Sequence, residues 1–356
     1  MQSSQGVKAR HGSAKTNRSR AMFGMSLIVL AAFASAVAAF GWAADEALPA
    51  EDGVRIREFY RLAAQVQDQI WPGWSKTPAP LLLVADNTEF LTHFGKAPAE
   101  FRKIEDDIYA RPRKFPTSFL ATFPAFGPPS VVVVGEPKNT TSKTSTRWLI
   151  TLMHEHFHQL QNGKTGYFVA VEGLGLSRGD QTGMWMLDYA FPYEKREVAQ
   201  GFERLRDLLF EVVNEREKSR FSGMAKGYVA ERRKFFGQLS SDDHKYLAFQ
   251  LWQEGIARYT EIKVADAAAK YEPSTEFAAL PDFEPFSAYG EKARSETLTE
   301  LKQMEIAKAK RRVVYPFGAA EGLLLDRLNP RWKAAYFEHL LSTDALFEGS
   351  SQETDQ

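Results

Sequence analysis

The sequence contains no cysteine in its 356 residues. No disulfide can staple the chain, and cysteine-ligated zinc is excluded outright. Any metal must therefore be held by histidine and carboxylate. Charge of one sign is also missing: 45 basic and 45 acidic residues give a formal net charge of zero. A nucleic-acid partner, which calls for a basic stripe or patch, has no support. No internal repeat is present either. What remains is an ordinary globular composition, 44% hydrophobic and 25% charged, with ample material for a sizeable core. Length alone allows one large domain or two lobes.

Residues 1–44 differ from the rest. The first 20 carry Lys8, Arg10, Lys15, Arg18 and Arg20 and no acid, and residues 21–44 carry no charge at all. A basic start, an apolar centre and small residues at the end are the parts of a secretory signal, with "AVA" at 36–38 and "GWA" at 41–43 as cleavage sites. The apolar stretch, residues 22–44, is also long enough for an uncleaved membrane anchor. Both readings export the remainder, to the periplasm or beyond, and that remainder carries 40 basic against 45 acidic residues, a net of −5.

Further along, residues 51–70 have apolar positions at helical spacing and end at "WPGW", which predicts a helix. "PLLLVAD" (80–86) and "PPSVVVVGEP" (128–137) are short apolar runs between turn formers and predict strands. "KNTTSKTST" offers N-caps to "RWLITLMHEHFHQLQN", a helix stopped at Asn162 and Gly163. Residues 166–192, rich in glycine and aromatics, read as irregular, and the "RGD" within them as an ordinary turn. Helices are expected over 195–219, 227–239 and 242–268, a proline-broken loop over 271–290, and a helix over 291–312 whose charges form a solvated face. The fold class is α+β. An α+β lobe over 45–163 ends with the histidine helix, a helical lobe covers 164–347, and a polar tail closes at 348–356.

The histidine helix carries the chemistry. His154, Glu155 and His158 fit H-E-x-x-H, and residues four apart share a helix face, so both imidazoles can reach one metal ion. Glu155, about 100° further round the helix, points beside the metal, where a carboxylate can take a proton from an activated water. His156 faces the opposite side and is expected to pack rather than ligate. The alternative is an amphipathic helix that carries histidines and no metal. A catalytic zinc needs a third protein ligand. A further histidine in the pattern H-E-x-x-H-x-x-G-x-x-H is absent, since Gln161 and Lys164 occupy those positions. A carboxylate is the remaining choice, and Glu254 in "LAFQLWQEGIARYTEI" sits in a mostly apolar helix where an unpaired acid is costly. Gly255 and Ala257 beside it are expected to let this helix approach the histidine helix. The competing account pairs Glu254 with Arg258. Rival ligands are Glu172, Glu321 and Glu261, the last of which could instead hold a histidine ligand by a hydrogen bond.

"HEHFH" on one helix and "WQEGIARY" on a later one resemble the gluzincin branch of zinc metallopeptidases, most closely exported bacterial proteins of the peptidase-MA-like type. The resemblance covers two short segments and a general strand-then-helix order. It implies a zincin-like N-terminal lobe and one zinc ion per chain on His154, His158 and Glu254. It also implies Glu155 as general base and acid, and a peptide or protein substrate. Some gluzincins use a tyrosine further along the chain to stabilise the oxyanion; Tyr315, 61 residues after Glu254, matches that place, with Tyr259 as runner-up. Departures are the absence of a G-A-M-E-N-like sequence and of the N-E-x-x-S-D setting of the third ligand. The expected function is zinc-dependent hydrolysis of a peptide bond in a cleft between the lobes, with an extended substrate pairing along the valine strand 131–134 if that strand lies at an edge. The alternatives are an exported protein with a structural or inactive zinc site, and a hydrolase of a non-peptide amide.

Overall fold

The computed structural model describes residues 47–349. The expected signal or anchor and nearly all of the polar tail lie outside them. Helix α1 (Ala50–Ile70) forms because Ile56, Phe59, Leu62, Val66 and Ile70 make one apolar stripe, with Glu51 and Asp52 favourably placed in its first turn. A six-stranded sheet follows: β1 (Leu81–Val84), β2 (Thr88–Thr92), β3 (Arg102–Glu105), β4 (Ile108–Pro112), β5 (Leu120–Phe123) and β6 (Val131–Gly135). Their order across the sheet is β3-β4-β2-β1-β6-β5. Only β1 and β6 run parallel, with Leu81 opposite Val132, and every other pairing is antiparallel.

The valine strand β6 is fully buried between β1 and β5, so it is not an edge. Its unbroken apolar run is that of a strand covered on both faces. The edge next to it is β5, a strand of only four residues. Leu81, Leu83, Val132 and Val134 face the helices, while Leu82, Val84, Val131 and Val133 meet a smaller core with Phe101, Phe119 and Phe123. At the end of β6, a Cβ on Gly135 would lie 1.8 Å from the Thr117 carbonyl oxygen, so only glycine lets the lead-in to β5 cross there.

Helix α2 (Ser145–Asn162) starts at Thr144, whose hydroxyl accepts from the Arg147 amide, and Gly163 follows its end. The region expected to be irregular contains two short helices, α3 (Tyr167–Gly173) and α4 (Trp185–Asp188). Then come α5 (Arg196–Asn214), α6 (Lys218–Gly237) and α7 (Ser241–Gln250), which continues through a π-helical turn at Leu251–Gly255 into α8 (Ile256–Ala268). After α9 (Thr275–Ala278), the expected charged helix is divided into α10 (Gly290–Gln303), α11 (Ile306–Ala309) and a 3-10 turn at Lys310–Val313. α12 (Val314–Leu328), α13 (Trp332–Tyr336) and α14 (Asp344–Gly349) complete the fold. It is mixed α+β, a sheet followed by helices. One apolar core runs from Ile56 in α1 to Phe347 in α14 and continues across residue 163, where the α+β part was expected to give way to helices. No helix among the described residues is long and apolar enough to cross a membrane.

Candidate metal centre

His154 and His158 stand one turn apart on α2, with ring centroids 4.9 Å apart. Glu254 reaches them from the π turn: its Oε2 lies 3.9 Å from Nε2 of His154 and 3.5 Å from Nε2 of His158. Among the described residues these three form the one group whose ligand atoms, all within 4.8 Å of one another, could hold a metal ion. Each histidine has its other nitrogen engaged. Nδ1 of His154 faces Oε2 of Glu261 at 3.4 Å, and Nδ1 of His158 lies 2.6 Å from Oε1 of Gln161. The Gln161 amide nitrogen donates to the carbonyls of Trp252 and Gln253 at 3.1 Å and to the Tyr336 hydroxyl at 2.8 Å, so its oxygen must accept from His158. Carboxylate and amide oxygens thus engage the two Nδ1 atoms and direct both Nε2 atoms at Glu254, and a metal ion bound there would take the place of the proton that Nε2 of His154 shares with Glu254.

The π turn explains part of this arrangement. A turn wider than α releases backbone carbonyls from the regular ladder, and Gln161 takes up those of Trp252 and Gln253. The same amide orients His158. Glu254 and the histidine it meets are therefore fixed through one glutamine. Sequence reasoning passed over Gln161, though its place three residues after His158 puts it within reach on the same helix face.

The electrostatics draw positive charge inward. Burial disfavours the His154 imidazolium, but hydrogen bonds to Glu254 and Glu261 and the charge of Glu155 outweigh it and hold its pKa up at about 10. Burial likewise opposes the Glu254 carboxylate, yet His158, His154 and Arg311 keep it well below the usual range. Glu261 is lowered to about 2, burial being overcome by Arg258 and His154. Glu254 and Glu261 are already paired with Arg311 and Arg258, so the case for a metal is the donor set itself: two imidazole nitrogens and one carboxylate oxygen brought together fit zinc.

Glu155 turns from the ligand face toward the sheet edge. The Thr122 hydroxyl on β5 stands 2.7 Å from its Oε2 and 3.1 Å from its backbone carbonyl. His156 is buried away from the site, stacked on Trp74, with ring nitrogens 2.8 Å from Gln159 and 3.1 Å from Gln67. Burial pushes its pKa down to about 4, so it is a neutral packed ring.

The rival carboxylates fall elsewhere. Glu172 is exposed, and Glu321 is buried against Tyr228 and Arg232 at 2.6 and 2.7 Å. Arg258 pairs with Glu261 at 2.9 Å rather than with Glu254. Gly255 faces α12 rather than the histidine helix: a Cβ there would come within 2.6 Å of the Gly318 Cα. Tyr259 turns its hydroxyl to Asp326 at 2.7 Å and takes no part. Tyr315 lies beside the site, its ring centroid 6.4 Å from that of His154 and its hydroxyl 3.1 Å from Nη1 of Arg311. Arg311 itself, expected on a solvated face, points inward and donates to Oε1 of Glu254 at 2.8 Å. Comparisons with protein-family models, curated proteins and solved structures find no match, so the site stands on its own geometry.

Proposed function

We propose that the chain is a zinc-dependent hydrolase of peptide bonds, a gluzincin-like metallopeptidase with a zincin-like arrangement of sheet edge and histidine helix. The observation that carries the reading is the convergence of His154, His158 and Glu254, with Glu155 between the histidines and turned to the sheet edge. His154 and His158, through Nε2, and Glu254, through Oε2, would hold the ion. Bound there, zinc supplies a Lewis acid that polarises a carbonyl and brings the pKa of water to about 7. Glu155 takes the proton from the attacking water and passes it to the departing amine, so one carboxyl serves first as base and then as acid. Thr122 holds that carboxylate in line. Tyr315, whose pKa burial pushes up, keeps its proton at neutral pH and offers it as a hydrogen bond to the developing oxyanion.

The substrate lies along β5. The Gly135 amide bonds the Phe119 carbonyl at 2.9 Å, and antiparallel alternation then turns the backbone groups of Leu120 and Thr122 away from β6. An extended peptide can pair with those groups, and the Thr122 side chain beside Glu155 links that register to the base. The test is Glu155→Gln. It should retain one zinc per chain while kcat/KM on a cleaved peptide falls by about 10² to 10⁴. Full activity in that variant would remove Glu155 from the mechanism.

A further inference from the structure

Glu254 has two oxygens with different neighbours. Oε2 faces the histidines, while Oε1 accepts from Nη2 of Arg311 at 2.8 Å. The same guanidinium donates through Nε to Oε1 of Gln250 at 2.8 Å and through Nη1 to the Tyr315 hydroxyl at 3.1 Å. Gln250 is itself anchored, donating to the Met186 carbonyl at 3.2 Å. Three different nitrogens of one planar fork thus meet three acceptors on two elements, the α7–π segment and the start of α12. Lysine, a single point charge, cannot reproduce that geometry. Arg311 is only 17% exposed. The backbone just before it is unusual: Lys310 has φ 51° and ψ −132°, a region that side chains other than glycine rarely occupy. That turn redirects the chain out of α11, so that Arg311 leaves the charged surface and enters the site.

We propose that Arg311 is a positioning residue of the metal centre. It reserves Oε1 of Glu254, so that Oε2 alone is presented as the third ligand atom, and it fixes the Tyr315 hydroxyl on the same fork. The inference rests on the zinc reading of His154, His158 and Glu254 and adds a residue to it.

A purely electrostatic role predicts the opposite outcome from a positioning role. A guanidinium beside a metal-binding carboxylate repels a second cation, so if Arg311 served only as the countercharge of Glu254, its removal would leave zinc binding unchanged or tighter. If it positions the carboxylate, its removal weakens binding, as loss of a group that orients a ligand does, by about 10- to 100-fold. The experiment measures zinc affinity by chelator competition for the full chain, for Arg311→Met and for Arg311→Lys, with the cobalt-substituted visible spectrum of each. The expected result is a 10- to 100-fold loss for Arg311→Met and a smaller but measurable loss for Arg311→Lys. The cobalt bands should weaken in Arg311→Met, as the freed carboxylate closes on the ion through both oxygens and raises its coordination number. Unchanged or tighter zinc binding in Arg311→Met, or full restoration by Arg311→Lys, overturns the proposal. Should Arg311→Met not fold, the lysine variant decides alone, because it keeps the charge and loses only the fork. Zinc binding by the unaltered chain separates the two claims: without it the metal reading falls, and with it the variants judge Arg311.

Discussion

At the scale of single residues, the three histidines of α2 are distinguished by what their ring nitrogens touch. His154 and His158 each give Nδ1 to a fixed oxygen and turn Nε2 to Glu254, whereas both nitrogens of His156 are engaged by glutamines. The Gln159 amide nitrogen is committed to the Pro80 and Ser130 carbonyls, so its oxygen accepts from Nδ1–H of His156. The Gln67 amide oxygen lies 3.1 Å from Nε2 of His156, and exchanging that oxygen with the amide nitrogen, which has the same shape, would supply the donor a neutral ring needs there. A half-buried lysine elsewhere gives a prediction about stability. Lys333 donates to the Ile70 carbonyl at 3.0 Å over the rings of Trp71 and Tyr259, and burial pushes its pKa down to about 8. Between pH 8 and the ordinary value of 10.5, the unfolded chain holds a proton that the folded chain has lost, so this group's contribution to stability rises with pH across that window and its full cost is present below it. Lys333→Met should therefore raise unfolding free energy at pH 7 by about 1–2 kcal/mol in urea titrations, with the gain shrinking at higher pH. A loss of stability at pH 7 would contradict the assignment.

At the scale of elements, the π turn and the start of α12 meet where neither carries a side chain. A Cβ on Gly255 would lie 2.6 Å from the Gly318 Cα and 3.0 Å from the Val314 carbonyl oxygen, and a turn later a Cβ on Gly322 would strike the Tyr259 ring at 2.6 Å. This close crossing brings Arg311 and Tyr315 to Glu254. Gly255→Ala should cost about 1–3 kcal/mol by overpacking, read in urea unfolding, and should also lower kcat by shifting α12 away. An alanine variant with unchanged stability would show that the crossing has slack. Much of the site was legible at this scale. Histidines four apart on a capped helix can meet only on one face, and an acid among apolar neighbours demanded a partner, so His154, His158 and Glu254 could be named from spacing and burial cost. What the sequence hid were contacts between distant elements. Thr122 and Arg311 have ordinary neighbours in the chain, and nothing in "LATF" or "KRRV" says that one strand lies at an edge or that one arginine turns inward. Gly255 is the close-packing residue that its sequence setting suggests, but it packs on α12 and not on α2, because a glycine marks close approach without saying to what.

At the scale of the whole molecule, the site forms where the sheet edge, α2, the π turn and α12 share one core. The sheet supplies β5 and Thr122, the first long helix after it supplies the histidines and Glu155, and the helices beyond supply Glu254, Glu261, Arg311 and Tyr315. Strand β6 was readable as a buried strand from its four valines, but its place inside the sheet depended on β5, a short strand with no turn signature of its own. The two-lobe expectation at residue 163 follows the order of elements, strands before it and helices after, and α8 packs against both α1 and α2 across that boundary. One ion held by His154, His158 and Glu254 is what the proposed chemistry requires, and diffraction from zinc-loaded crystals on either side of the zinc absorption edge tests it directly. The predicted result is a single anomalous peak about 2.0–2.2 Å from Nε2 of His154, Nε2 of His158 and Oε2 of Glu254. No peak among those three atoms, or a bound ion that leaves Glu254 outside its ligands, would contradict it.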